Sequence, residues 1–298
     1  GQRQNLPSIK IIDERGRMNE NAGIRYQDLK TAQAREQIIK DLTTIGLIEK
    51  IEDYEHNVGR CDRCNSVIEP LPSEQWFLKM KDLAKLALEA VENGRVKIHP
   101  QRWEEPYKNW LDNVRDWNIS RQLWWGHRLP VWHHESKCVP KSGHEKDIAK
   151  CQEIKVSIEE PACEYCDAKF TQSEDVLDTW FSSALWPFAT LGWSSDKNTD
   201  FQKYYPTDFI TSDRGILFLW QVRMIFSGME FTGQPPFKDV YIHATVLTKD
   251  GKRMSKSLGT GINPLDLIEK YGTDALRFGL ASQATGLQDL RFGEDLLV

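Results

Sequence analysis

Apolar residues recur along the chain at spacings that change from block to block. Leu29, Ala32, Ile38, Leu42 and Ile45 recur at helical intervals, which predicts an amphipathic helix over 26–45 ended by Gly46. A short strand over 9–13, a turn over 14–17 and a return strand over 47–54 are expected around it. One helix with two strands is too little for a stable sheet, so residues 1–75 are expected to finish a domain begun upstream. Leu83, Leu86, Ala87, Ala90 and Val91 predict a second helix over 83–93 with Gly94 at its end, and Pro106 opens a third that carries Tyr107, Trp110, Leu111 and Val114. Further on come an apolar helix over 216–228, a buried strand over 240–247 and a turn over 249–252. Asn263-Pro264 then caps a helix running to Tyr271-Gly272, and another follows over 273–281. Strands alternating with helices predict an α/β fold, whose ligands bind at the carboxyl ends of the parallel strands.

Two stretches break the pattern. Residues 117–132 mix Trp117, Trp124, Trp125 and Trp132 with Arg121, Gln122, His127 and Arg128 at neither helical nor strand period. Aromatics beside arginines suit the stacking and phosphate pairing of single-stranded RNA ends, and a Trp-rich buried loop is the alternative. Residues 133–172 are polar and cannot fill a core, which calls for a staple. Zinc takes four tetrahedral ligands, and His134 (or His133), Cys138, Cys163 and Cys166 offer them, with Cys151 able to replace Cys138.

Composition narrows the class. In 298 residues, 40% are hydrophobic and 28% charged, which excludes collagen-like, low-complexity and disordered chains. The longest apolar run, 215–229, is interrupted by Arg223, so no membrane partner is expected. A net charge of −5 does not advertise a nucleic-acid binder, although 249–253 and 121–128 are locally basic. Six cysteines are too few for a disulfide scaffold, and with Cys61-x-x-Cys64 and Cys163-x-x-Cys166 they fit a reducing, cytoplasmic location. The N-terminus has no initiator Met and reads as a cut end.

The chemistry is expected after the strand over 240–247, where the loop reads Gly251-Lys252-Arg253-Met254-Ser255-Lys256-Ser257-Leu258-Gly259. Three cations and two hydroxyls between glycines make a clamp for a polyphosphate, whose transfer chemistry gains most from cations aimed at the developing charge. The order R-M-S-K-S resembles the KMSKS signature of the class I aminoacyl-tRNA synthetases. The stretches over 117–127, 175–188 and 271–278 are similar to the valine-specific branch of that family, and the resemblance covers nearly the entire chain.

The resemblance implies the second half of a Rossmann-type catalytic domain that joins valine to ATP, with Mg2+, and moves the valyl group to tRNA(Val). By it, Lys256 stabilises departing pyrophosphate, supported by Ser255 and Arg253. Trp180, Ile216 and Trp220 line the valine pocket, and His243 and Val246 lie beside the adenine. Arg121 and Arg128 are the tRNA contacts expected in the Trp-rich segment. The implied organisation is an editing-domain remnant over 1–75, a connection over 76–132, a zinc-knuckle insertion over 133–173, the Rossmann second half over 174–262 and stem-contact helices over 263–298.

Some positions depart from the family. The His-x-Gly-His that holds ATP is not found around any of the seven histidines, so an N-terminal half of the same enzyme is an expected partner and the chain alone is expected to be inactive. Ser212-Asp213-Arg214-Gly215-Ile216 stands where Thr-Gly-x-Asp-Ile is usual. Ala244 replaces a Gly, Arg253 a Lys and Thr260 an Asn. In the family, Cys61 and Cys64 share a zinc with an upstream pair, which implies a half-filled site here. The alternatives are the isoleucine-specific relative and a non-catalytic, zinc-containing tRNA-binding module, against which the intact phosphate loop argues.

Overall fold

The computed structural model describes residues 4–61, 64–134, 140–143, 151, 154–167, 169–193, 199–255, 259–284 and 289–298. The chain divides into two compact units, Gly1–Glu74 and Gln75–Val298.

In the first unit the one α-helix among the described residues is α1 (Thr31–Thr44), which starts later than its apolar spacing predicts. Gly46 turns the chain at φ 70°, with the Leu47 N–H returning to the Leu42 carbonyl. The strands expected over 9–13 and 47–54 do not form. Ile12 makes an isolated bridge to Met18, and Ile9, Leu47 and Ile51 stay exposed, because β-propensity is expressed only where a partner strand and a covering layer exist. The turn over 14–17 is present, with the Asp13 carboxylate accepting from the Arg15 and Arg17 N–H groups.

The second unit runs β1 (Phe77–Leu78), α2 (Lys81–Glu92), β2 (Lys97–His99), α3 (Glu104–Asp112), β3 (Trp117–Asn118), β4 (Ser120–Arg121), β5 (Val131–His134), β6 (Ile154–Val156), β7 (Phe170–Gln172) and β8 (Val176–Leu177). It continues through α4 (Thr179–Ala184), α5 (Trp186–Ala189), α6 (Thr199–Tyr204), β9 (Thr207–Asp213), α7 (Val222–Thr232), β10 (Phe237–His243), β11 (Val246–Thr248), α8 (Pro264–Tyr271), α9 (Thr273–Ser282) and β12 (Leu290–Phe292). The organising layer is a parallel three-stranded sheet in the order β2-β10-β9. Val240 and Ile242 point from β10 into the main core, where Ala84, Ala87 and Ala90 of α2, Tyr107 and Leu111 of α3 and most of α7 cover one face. Small alanines let α2 and α7 approach closely, and the buried Tyr107 hydroxyl donates to the Ala87 carbonyl at 2.8 Å.

The strand expected over 240–247 is two strands. It leaves the central sheet after His243, and 246–248 pairs with β12 in a separate parallel ribbon. The expected helix over 216–228 is likewise composite: a 3-10 turn Arg214–Ile216, a π-helical turn Leu217–Gln221, then α7. Asn263 caps α8 through the Leu265 N–H, as its sequence predicts.

Candidate functional site

β9 ends at Asp213 and β10 at His243, register partners at the carboxyl ends of two parallel strands. Such ends are where open α/β sheets bind ligands. Asp213 caps the 3-10 turn, its Oδ1 accepting from the Gly215 N–H at 2.6 Å, while Oδ2 accepts from the Thr245 hydroxyl at 2.5 Å. Partial burial raises the Asp213 pKa, but the Thr245 and Gly215 hydrogen bonds and the nearby Arg253 and His243 charges outweigh it. The carboxyl therefore lies below its ordinary range. His243 is exposed and its Nδ1 lies 2.9 Å from the Ala244 carbonyl oxygen, to which Nδ1–H donates. Asp289 locks the neighbouring segment, accepting from the Thr245 N–H and, at 2.6 Å, from Arg214. Val246 is exposed at the start of β11.

The R-M-S-K-S loop begins at this end of the sheet. The Thr248 N–H donates to the Lys252 carbonyl and the Gly251 N–H to Thr248, which folds the chain back so that Arg253 bridges Leu247. Arg253 Nη2 comes to 3.9 Å from Asp213 Oδ1. The loop neck is closed by Thr260, whose hydroxyl accepts from the Ser255 N–H at 2.9 Å and whose N–H donates to the Ser255 carbonyl. Lys256 lies outside the described residues.

On the far side of the 3-10 turn, α4 carries the half-buried Trp180 and packs on the π-helical turn that carries Trp220, with the Trp220 indole N–H donating to the Ser183 carbonyl at 3.1 Å. Ile216 precedes that turn, and Trp186 meets Trp220 edge to face at 6.5 Å. The start of α4 is fixed by Asp178, which the sequence reading overlooked although an Asp before an apolar run has the form of an N-cap. Its Oδ1 accepts from the Trp180 N–H, and its Oδ2 from the Trp117 indole at 2.9 Å and from Arg121 at 2.7 Å. Arg223, stacked over Trp117 at 3.7 Å, lies 3.5 Å from the same oxygen. Burial lowers the Arg223 pKa to about 10 against the pull of Asp178, so it stays charged at neutral pH.

The two arginines that the sequence offers to tRNA also bond within the chain: Arg121 to Asn118, Ser120 and Asp178, and the exposed Arg128 to the Gln172 and Ser173 carbonyls. What the segment presents outward is its tip, where Trp124 and Trp125 are almost fully exposed beside Leu123.

β6, β5 and β7 form an antiparallel sheet whose small core is Cys163, Cys166 and Phe170. His134 at the end of β5 joins Cys151, Cys163 and Cys166 with ligand atoms all within 4.8 Å of one another. Cys138 lies outside the described residues, and Cys151 takes the fourth place. Cys151 Sγ is 3.2 Å from His134 Nε2 and 3.3 and 3.6 Å from the sulfurs of Cys163 and Cys166. A zinc–sulfur bond of ~2.3 Å implies a tetrahedron with edges of ~3.7 Å, so the donor set and its size fit that ion. Burial raises the Cys163 pKa, but the Tyr165 N–H and the thiols of Cys151 and Cys166 draw it down to about 6, toward the thiolate a metal requires. In the first unit, the Cys61 N–H donates to the Ser66 carbonyl and the Cys64 thiol to the Ser66 hydroxyl.

The family model described as tRNA synthetases class I (I, L, M and V) matches residues 19–293. A valine–tRNA ligase of Thermotoga maritima is 50% identical over 290 residues, which are 97% of this chain and 32% of that protein. The same-named protein of Petrotoga mobilis is 50% identical over 293 residues, 98% and 32% of the respective chains. The chain thus spans about a third of the length of the curated relatives it matches. Among solved structures it resembles Mycobacterium tuberculosis methionyl-tRNA synthetase in complex with methionyl-adenylate. That match has a TM-score of 0.56 and 16% identity over 80% of this chain and 39% of that one, a likeness of fold.

Proposed function

The chain belongs to the class I tRNA synthetases (I, L, M and V), and from that premise we propose that it is the part of a valine–tRNA ligase that holds the second half of a Rossmann-type nucleotide fold. The reaction is activation of valine by ATP, with Mg2+, to valyl-adenylate, followed by transfer of the valyl group to tRNA(Val). The observation that carries this reading is the meeting of the phosphate loop with the strand ends, Arg253 lying 3.9 Å from Asp213 beside His243. In this reading His243 and Val246 border the adenine, and Arg253, Ser255 and Lys256 face the phosphates. There, fixed cations act on charge that develops as pyrophosphate leaves. Trp180, Ile216 and Trp220 form the apolar wall that selects a small branched side chain, a selection that is intrinsically weak against near-isosteres. The single-stranded tRNA end stacks on the exposed Trp124 and Trp125, beside Arg121 and the exposed Arg128.

We propose zinc for the second site. His134, Cys151, Cys163 and Cys166 would hold the ion, and its contribution when bound is structural, a cross-link for a sheet with little core of its own.

Amino-acid-dependent pyrophosphate–ATP exchange by the whole protein that contains this chain tests the reading. Exchange with valine well above that with isoleucine is expected. Preference for isoleucine, or no exchange with either, overturns it.

A further inference from the structure

Asp213 touches three separate segments. It caps the 3-10 turn at Gly215, accepts from Thr245 in the step between β10 and β11, and faces Arg253 at the base of the phosphate loop. A Cβ built on Gly215 would lie 2.8 Å from Asp213 Oδ1 and 3.7 Å from both terminal nitrogens of Arg253. The space over residue 215 is therefore filled by the carboxylate and guanidinium, and glycine is what leaves room for them. In sequence terms, Ser212-Asp213-Arg214-Gly215 exchanges the places of glycine and carboxylate relative to Thr-Gly-x-Asp.

We propose that Asp213 is a positioning residue for the R-M-S-K-S loop, holding Arg253 against the strand ends and so setting how the loop's cations meet the phosphates. The proposal rests on the reading above. An exposed ion pair is ordinarily worth little, since two mobile side chains must be ordered to make it. Here one partner is already fixed: Asp213 is anchored by two short hydrogen bonds and its side chain is 20% exposed, so only Arg253 remains to be ordered. A carboxylate has about four acceptor positions, and the Gly215 and Thr245 bonds leave room for the guanidinium. Misplacing a catalytic group by about 1 Å costs ~10²-fold in rate, so a tether at the loop base can govern chemistry it does not touch.

Two variants test this in the whole protein. Asp213→Asn keeps an acceptor for the Gly215 N–H and removes the charge; Arg253→Gln alters an exposed residue that the fold does not need. If Asp213 acts through Arg253, Asp213→Asn lowers kcat for valine-dependent exchange by ~10–10²-fold with KM for valine nearly unchanged, and the double variant is no slower than Arg253→Gln alone. Trypsin also cuts the Arg253–Met254 bond several-fold faster in Asp213→Asn, without a shift in the thermal midpoint. Unchanged kcat, or losses that multiply in the double variant, overturn the proposal, as does unchanged cleavage. Faster cleavage in a protein whose unaltered form shows no valine-dependent exchange instead sinks the synthetase reading and leaves the tether standing.

Discussion

Asp178 ties together residues that are far apart in the chain: the Trp180 N–H that starts α4, the Trp117 indole, and the guanidinium groups of Arg121 and Arg223. Its side chain is 8% exposed and that of Arg223 10%, so removing the carboxylate strands a buried cation. Asp178→Ala is expected to cost ~3–5 kcal/mol in urea unfolding, the scale for breaking a buried pair from one side. Asp208, in an exposed pair with Lys238, supplies the contrast, and Asp208→Ala should cost less than ~1 kcal/mol. Equal costs would mean that burial does not set the value of Asp178. A cation that meets pyrophosphate only as its charge develops should, on Lys256→Ala, lower single-turnover adenylate formation by ~10²–10³ with little change in valine affinity. A solvated lysine would leave the rate alone, and a loss confined to valine binding would contradict the role proposed for it.

Elements with local signals were legible in the sequence. Asn263-Pro264 carries the start of α8, and Leu83, Ala87 and Val91 the body of α2, because capping and helical period are written within a few residues. The strands over 9–13 and 47–54 were misread because an apolar run says nothing of whether a partner exists. The break after His243 was invisible for a related reason, since Asp213, Asp289 and the Leu290 N–H, all distant in the chain, bind Thr245 outside the central sheet. The candidate metal ligands were legible in composition, but sequence spacing left the fourth place between Cys138 and Cys151, and of these it is Cys151 that sits 3.2 Å from His134 among the described residues. With zinc cross-linking β5, β6 and β7, Cys151→Ser should lose the ion in native mass spectrometry while Cys138→Ser retains it. Chelation should loosen this sheet and leave the main cluster around Tyr107 and Phe226 folded, since the two cores are separate. Retention in Cys151→Ser with loss in Cys138→Ser would return the fourth place to Cys138.

The central sheet is covered by the main core on one face. Val240 and Ile242 enter the core, while Phe209 and Tyr241, with rings 6.3 Å apart, are 58% and 40% exposed on the other face. Parallel sheets are ordinarily covered on both faces, and among the described residues β2 and β9 are edge strands with one partner each. In the proposed reading Asp213 and His243, at the ends of these strands, line one wall of a nucleotide cleft. Adenylate formation requires the valine carboxylate and the α-phosphate to be held at ~3–3.5 Å in line, which one wall cannot enforce. The 298-residue chain by itself is therefore expected to show no valine-dependent pyrophosphate exchange, even with zinc bound and the sheet folded. The whole protein, assayed in parallel, is expected to exchange. Measurable valine-dependent exchange by the isolated chain would instead show that the strand ends, the R-M-S-K-S loop and the Trp180 wall suffice to align both substrates.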